Sequence, residues 1–170
     1  MDFETYIRDI SDFPKPDIIF KDITPLLKNS NALKKASKAL YKLVKDQHID
    51  KVVGVDSRGF IFAPLLAYHL DAGVIPVRKK GKLPAKKRSE SYNLEYGTDT
   101  LEIHEDAINK GERVLVHDDV LATGGTAEAV CKLVEKLGGV IVQCNFIIHL
   151  SFLKGEEKIK DYPIQSLITY

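Results

Sequence analysis

Between Arg113 and Thr126 the chain reads RVLVHDDVLATGGT. Val114, Leu115 and Val116 form an apolar run that ends in two adjacent carboxylates, Asp118 and Asp119. Ala122, Thr123, Gly124, Gly125 and Thr126 follow shortly after, and an amphipathic helical pattern begins there. Two acids at the end of a buried strand can grip vicinal hydroxyls or sit beside a metal ion. A glycine-rich turn that opens a helix offers bare backbone N–H groups to a phosphate. A ligand with both a sugar diol and a terminal phosphate satisfies both halves at once. The commoner phosphate motifs fit less well. A Walker loop needs a Lys after its glycines, and a dinucleotide fingerprint does not place its acids before them. An ordinary strand–turn–helix corner would account for TGGT alone, but not for TGGT with paired acids.

A second turn of the same kind lies at Asp56-Ser57-Arg58-Gly59-Phe60, directly after the apolar run Val52–Val55. Ser57, the Gly59 amide and the helix N-terminus beyond can receive an anion, and Arg58 adds a planar fork for phosphate oxygens. A capped turn with a surface Arg would look similar by itself; beside the first motif, it reads as a pyrophosphate site. From Arg78 to Arg88 the sequence is RKKGKLPAKKR, seven basic residues in eleven positions. A solvated loop, a nucleic-acid patch and a lid over a polyanion all fit such a run. No aromatic residue interleaves with the charges, which argues against a base-stacking platform. Two phosphate motifs in the same chain favour the lid, with the solvated loop next.

These residues need elements to hold them. Phe3, Ile7 and Ile10 recur at helical spacing and predict a first helix, broken by the prolines at 14 and 16. Ile18–Phe20 is a short extended piece. Ser30 or Asn31 caps a helix that carries Leu33, Ala36, Leu40, Tyr41 and Val44 on one face. Lys51–Val55 is a buried strand, and a helix follows with Phe60, Ala63, Leu66, Ala67 and Leu70, with Pro64 near its first turn. Val74–Val77 is another strand. Residues 79–91 lack periodicity and read as a mobile loop. Tyr92–Tyr96 and Thr100–His104 read as a hairpin around Gly97-Thr98-Asp99. Val114–His117 is the central strand, Glu128–Leu137 its helix, Val140–Leu150 a long apolar strand and Ile164–Tyr170 an edge strand. Alternating strands and helices predict an α/β fold, a mostly parallel twisted sheet with helices on both faces. Ligands bind such sheets at the carboxyl ends of the strands, where Asp56 and Asp118-Asp119 fall.

The chain has 170 residues, 44% hydrophobic and 29% charged, and a formal net charge of +1. This is one domain of ordinary size with no global field toward nucleic acid or membrane. No apolar run approaches the ~18 residues of a spanning helix, and MDFETYIRDI lacks a signal-peptide layout, so a cytoplasmic location is expected. Cys131 and Cys144 have no metal-ligand spacing and read as small buried apolar residues rather than a disulfide or redox pair.

DSRGF, GKLP, YNLEYG and VLVHDDVLATGGT occur in this order. In them, and in the IFKDITP run from Ile19 to Pro25, the chain resembles the adenine phosphoribosyltransferase family over nearly its whole length. The resemblance implies the type I phosphoribosyltransferase fold as a single domain of residues 1–170, with a hood (1–30) and a lid loop and hairpin (79–104). It implies a homodimer that makes AMP and pyrophosphate from adenine and 5-phosphoribosyl 1-pyrophosphate (PRPP) in purine salvage. Mg²⁺ would be held mainly through PRPP, near Asp118 and Asp119. Asp118 and Asp119 would hold the ribose hydroxyls, and Ala122 to Thr126 the 5′-phosphate. Asp56, Ser57, Arg58, Arg78 and Lys82 would serve pyrophosphate, with a cis peptide at Asp56-Ser57 and Arg78 reaching the partner subunit's site. Glu95 would handle the proton of the base, supported by Tyr96, with Arg58 as the third catalytic group. Ile19, Phe20 and Lys21 would frame adenine.

Three residues depart from the family pattern: Asp17 stands where Gly is common, Lys21 where Arg is usual, and His117 where an aliphatic residue is typical. His117 reads as a packed residue rather than a catalyst. A 6-oxopurine transferase is the nearest alternative, but Val140–Leu150 lacks the Lys that such enzymes use. A PRPP-sensing regulator would need a DNA-binding segment, and about ten residues before Pro14 are too few for a helix-turn-helix.

Overall fold

The computed structural model describes residues 2–93 and 97–170. In chain order the elements are β1 (Arg8–Ser11), β2 (Ile19–Asp22), α1 (Thr24–Lys28), α2 (Ser30–Lys42), β3 (Lys51–Val55), α3 (Gly59–Leu70) and β4 (Gly73–Lys79). Then come β5 (Lys87–Asn93), β6 (Thr98–His104), β7 (Arg113–Leu121), α4 (Gly125–Lys136), β8 (Val140–His149) and β9 (Ile164–Thr169). Short 3₁₀ turns occupy Glu4–Tyr6, Ser151–Leu153 and Gly155–Ile159.

β3 to β9 make a seven-stranded sheet in the order β5-β6-β4-β3-β7-β8-β9. The five strands from β4 to β9 in that order are parallel, and the β5–β6 hairpin joins β4 antiparallel. Side chains alternate across the sheet. Val53, Val55, Val114 and Val116 point into a core capped by Val130, Leu133 and Val134 of α4. Val52 and Leu115 point the other way, into a core built with Leu40 of α2 and Phe62 and Leu66 of α3. Burial on both faces is why the central strands read as continuous apolar runs.

Several expectations need correction. The N-terminal segment is not a helix: Arg8–Ser11 pairs antiparallel with Ile19–Asp22. The apolar spacing yields there to strand pairing, pinned by Arg8, whose Nε donates to Asp22 Oδ2 at 3.0 Å. Asp22 also accepts from the Thr24 hydroxyl, and these bonds lower its pKa to about 2, with the Thr24 contact the largest cause. The β1–β2 turn places Asp17 at φ 66, the left-handed region where Gly is easiest, and Asp12 Oδ1 accepts from the Asp17 amide at 2.9 Å. α2 starts one residue early, because Asn29 Oδ1 accepts from the amides of Asn31 and Ala32 at 3.1 and 3.0 Å. Pro64 is the sixth residue of α3 rather than a first-turn residue. Residues 87–91, expected in a loop, are strand, paired from Lys87↔His104 onward. Asp118 and Asp119 lie inside β7, not beyond its end. β7 outruns its neighbour β3, whose pairing stops at Gly54↔His117, so the acids project where that side of the sheet has ended. No helix of the described residues is long and apolar enough to cross a membrane.

Candidate active site

The glycine-rich turn after β7 forms a phosphate-sized bowl. Gly124 has φ 78, a conformation that costs an L side chain, and α4 starts at the next residue. The amides of the first turn therefore lack helical partners and face outward. A cavity of about 70 Å³ is lined by Asp118 and by the run from Val120 to Ala127, with the Thr123 and Thr126 hydroxyls at hand. Backbone donors at a positive helix end suit a phosphomonoester.

The turn after β3 supplies the neighbouring wall. The peptide Asp56-Ser57 is cis, as the family resemblance implied. Arg58 Nε lies 2.8 Å from Asp119 Oδ2, and the guanidinium also covers the Phe20 ring at 4.7 Å from its centroid. Arg78 Nε sits 3.2 Å from Asp56 Oδ2, and Arg78 Nη1 donates to the Lys82 carbonyl at 3.3 Å. A Cβ on Gly59 would meet Asp118 Oδ1 and the His117 carbonyl at 3.0 Å, so a glycine at the start of α3 lets β7 come close. A cleft of about 280 Å³ opens between Asp56, Ser57, Arg58, Lys79, Tyr92, Leu101, Asp118, Asp119 and Thr126.

On the other side of the two acids lies a pocket of about 360 Å³. Ile18, Ile19, Phe20, Leu150 and Leu153 give it an apolar lining, and Arg58, Asp118, Asp119, Ala122 and Thr123 close it. Phe13 packs edge-on against Phe20 at 5.2 Å and steadies its ring. Lys21 borders the pocket, but its ammonium is committed elsewhere: 2.8 Å from Asp9 Oδ1 and 3.8 Å above the Tyr170 ring.

The acids are electrostatically tense. Burial lifts the Asp118 pKa well above the usual carboxylate value, and the adjacent Asp119 lifts it further. Asp119, 4% exposed, is also raised by burial, against the pull of Arg58. His117 next to them is fully buried, its Nδ1 2.7 Å from Asn145 Oδ1. Burial pushes its pKa down to about 4, so the ring is neutral at pH 7 and packs edge-on near Phe62, as a packed residue would.

Asp56, Ser57, Arg58, Asp118, Asp119, Ala122 to Thr126 and Ile19 to Lys21 thus come together around three adjoining cavities that share Asp118. Arg78 stands one layer back, behind Asp56, and only the main chain of Lys82 is tied to it. Lys82 and Lys86 have no ion pair among the described residues, whereas Lys87 binds Glu102 at 2.9 Å and Arg88 binds Glu105 at 3.2 Å. Glu95 and Tyr96 lie outside the described residues. Sequence reasoning missed Tyr92, Leu150 and Leu153, and had Lys79 only as a member of the basic run. Tyr92 was legible in principle, as an inward-pointing position of the hairpin; Leu153 follows a strand and carries no local signal.

Acids on the part of a strand that outruns its neighbour, two anion-binding turns and a hooded apolar pocket on one mostly parallel sheet define a class of α/β protein that handles phosphorylated sugars and a flat ring. A family model described as the phosphoribosyl transferase domain matches residues 22–168. An adenine phosphoribosyltransferase of Flavobacterium johnsoniae is 63% identical, each chain covered in full. The crystal structure of the Rhodothermus marinus adenine phosphoribosyltransferase superposes with TM-score 0.94 at 53% identity, covering 99% of this chain and 96% of that one. The Saccharomyces cerevisiae enzyme, solved with adenine and an imino-altritol bisphosphate, gives TM-score 0.90 at 39% identity over 98% and 96% of the two chains. The chain belongs to the phosphoribosyltransferase family, in its adenine phosphoribosyltransferase branch.

Proposed function

We propose that this protein makes AMP and pyrophosphate from adenine and PRPP, in purine salvage. The observation that carries this reading is the position of Asp118 and Asp119. They are the shared wall between the cleft at the Asp56–Arg58 turn and the apolar pocket under Phe20. A ribose held there has its 5′-phosphate over Ala122–Thr126, its pyrophosphate toward Asp56, Ser57 and Arg58, and its anomeric carbon facing the base. The yeast relative's pairing of adenine with a sugar-like bisphosphate is consistent with that layout.

The reaction breaks the bond from the anomeric carbon to pyrophosphate and forms one to N9 of adenine. Positive charge builds on the sugar beside the two acids, and negative charge on the leaving group beside Arg58. The N9 proton passes to Glu95, with Tyr96 in support. Closure of the basic loop that follows β4, bringing Lys82, excludes water that would compete for the sugar cation. The described residues hold no cluster of three metal-ligating side chains. Mg²⁺, which binds largely through substrate phosphates with only one or two carboxylates, would be held mainly by PRPP near Asp118 and Asp119, and would neutralise pyrophosphate charge there.

The assembly we propose is a homodimer in the cytoplasm. α3 is apolar almost all round, and Ile61 (38%) and Tyr68 (85%) remain exposed on it, a face suited to a second copy. Arg78 lies 5.9 Å over Phe60 of the same helix, and its reach toward the partner subunit's site is part of this proposal.

The test is to mix protein, PRPP and Mg²⁺ with adenine, hypoxanthine or guanine, and to separate the nucleotides. AMP from adenine alone is expected. IMP or GMP would overturn the base assignment, and no nucleotide with PRPP still bound would indicate a sensor. Glu95→Ala is expected to lower kcat by about 10²-fold while the Kd for PRPP stays within about twofold. Loss of PRPP binding by a folded variant would remove Glu95 from the proton-handling role.

A further inference from the structure

The 5′-phosphate bowl is not held by its own residues alone. The connection between β8 and β9 runs across its outer side, and the two main chains touch at a pair of glycines. A Cβ built on Gly155 would lie 2.7 Å from the Gly124 amide nitrogen and well inside van der Waals contact with the Ala122 carbonyl oxygen. A Cβ on Gly124 would in turn strike the Gly155 carbonyl. Atoms of these kinds never approach so closely, so a side chain at either position forces backbone to move.

Gly155 cannot easily retreat. The Leu150 amide donates to the Leu121 carbonyl at 2.9 Å, and the Ser151 hydroxyl donates to the Tyr170 carbonyl at 2.6 Å. His149 Nε2 and Glu156 Oε2 are 3.0 Å apart across the turn. On the far side, Ile159 is 1% exposed and sits in the core under α4. Leu153, two residues before Gly155, lines the apolar pocket. One pinned turn therefore touches the base pocket with a side chain and the phosphate bowl with bare backbone.

From this geometry we infer that Gly155 is a positioning residue for the 5′-phosphate: it moulds Ala122–Gly124 into a shape whose amides converge on an anion. The inference rests on the reading of that bowl as the 5′-phosphate site. It sets a specific requirement. Disturbing Gly155 harms recognition of the phosphomonoester end of PRPP and spares the pyrophosphate end, whose turn at Asp56–Arg58 lies on a different strand.

The experiment compares ribose 5-phosphate and inorganic pyrophosphate as separate probes, by calorimetry, on the wild-type protein and on Gly155→Ala. The wild-type protein is expected to bind both; failure to bind ribose 5-phosphate would sink the site assignment itself. In the variant the Kd for ribose 5-phosphate should rise at least about tenfold, with the Kd for pyrophosphate within about twofold. In turnover, the KM for PRPP should rise more than kcat falls. Equal losses for both probes would mean general damage and overturn the inference, as would an unchanged Kd for ribose 5-phosphate. If Gly155→Ala does not fold, Ile159→Val takes its place, since it removes one methylene-sized group from the turn's anchor. It should weaken ribose 5-phosphate a few-fold and leave pyrophosphate alone, and no change in either overturns the inference.

Discussion

Replacing both acids, Asp118→Asn with Asp119→Asn, is expected to raise the melting temperature and at the same time to weaken PRPP binding by at least about 10²-fold. The two effects share one cause. Burial lifts both carboxylates above their ordinary pKa, and the charge of Asp119 lifts Asp118 further. A carboxylate whose folded pKa exceeds its unfolded value destabilises the fold once the pH passes the unfolded value, near 3.8. The loss grows until the folded value is passed. At pH 7 the protein thus carries a penalty that two amides do not incur. The amides are nearly isosteric, so packing is kept, but each replaces an acceptor of charge-assisted hydrogen bonds from ribose hydroxyls. Such bonds contribute about 1.5–3 kcal/mol each, and losing two gives the expected drop in affinity. Thermal melts at pH 4 and pH 7 check the first half: the gain of the variant over wild type should shrink toward pH 4, close to the unfolded value at which the penalty begins to accumulate. Calorimetry with PRPP checks the second half. A variant that melts lower than wild type and binds PRPP normally would remove these acids from the sugar site.

How much of this was written in the chain depends on the range of the interaction. Lys51–Val55 was legible to the residue, because a strand buried on both faces needs an unbroken apolar run. The bowl at Thr123–Thr126 was legible because glycine and hydroxyl residues there serve a local backbone geometry. The N-terminal hood was not. Phe3, Ile7 and Ile10 match a helix, and only the pairing of Ile10 with Phe20, across a turn held by Asp12 and Asp17, decides for strand. The start of β5 at Lys87 was hidden for a similar reason. Its residues KRSE are polar on both faces, and the strand is fixed by partners such as Glu102, which receives both Lys87 and the Gly81 amide. Leu153 and Gly155 were out of reach, since Gly155 meets Ala122 and Gly124, about thirty residues back, and Leu153 shares its pocket with Ile18–Lys21, far earlier in the chain. Arg58 was recognised as an anion ligand, yet its resting partners Asp119 and Phe20 come from two other elements, and no spacing rule connects them.

Those resting partners shape the last prediction. Arg58→Ala is expected to lower kcat/KM for PRPP by about 10²–10³-fold, the usual loss when one preorganised donor to developing negative charge is removed. The same substitution should leave adenine binding intact or tighter. The Arg58 guanidinium lies over Phe20 and beside Asp119, closing one side of the apolar pocket. A flat base that stacks on Phe20 has to displace it. Pyrophosphate at Asp56–Ser57 offers the guanidinium stronger, multiply charged acceptors than a single carboxylate. A guanidinium that turned to pyrophosphate would leave the ring and open the base site. Removing the side chain uncovers Phe20 permanently, at the expense of the leaving group. Lysine at this position keeps a charge but loses the planar fork, so Arg58→Lys should recover only part of the rate. Steady-state kinetics with PRPP and equilibrium binding of adenine to the free protein separate the two effects. A variant that loses adenine affinity in step with turnover would place Arg58 on the base rather than on pyrophosphate.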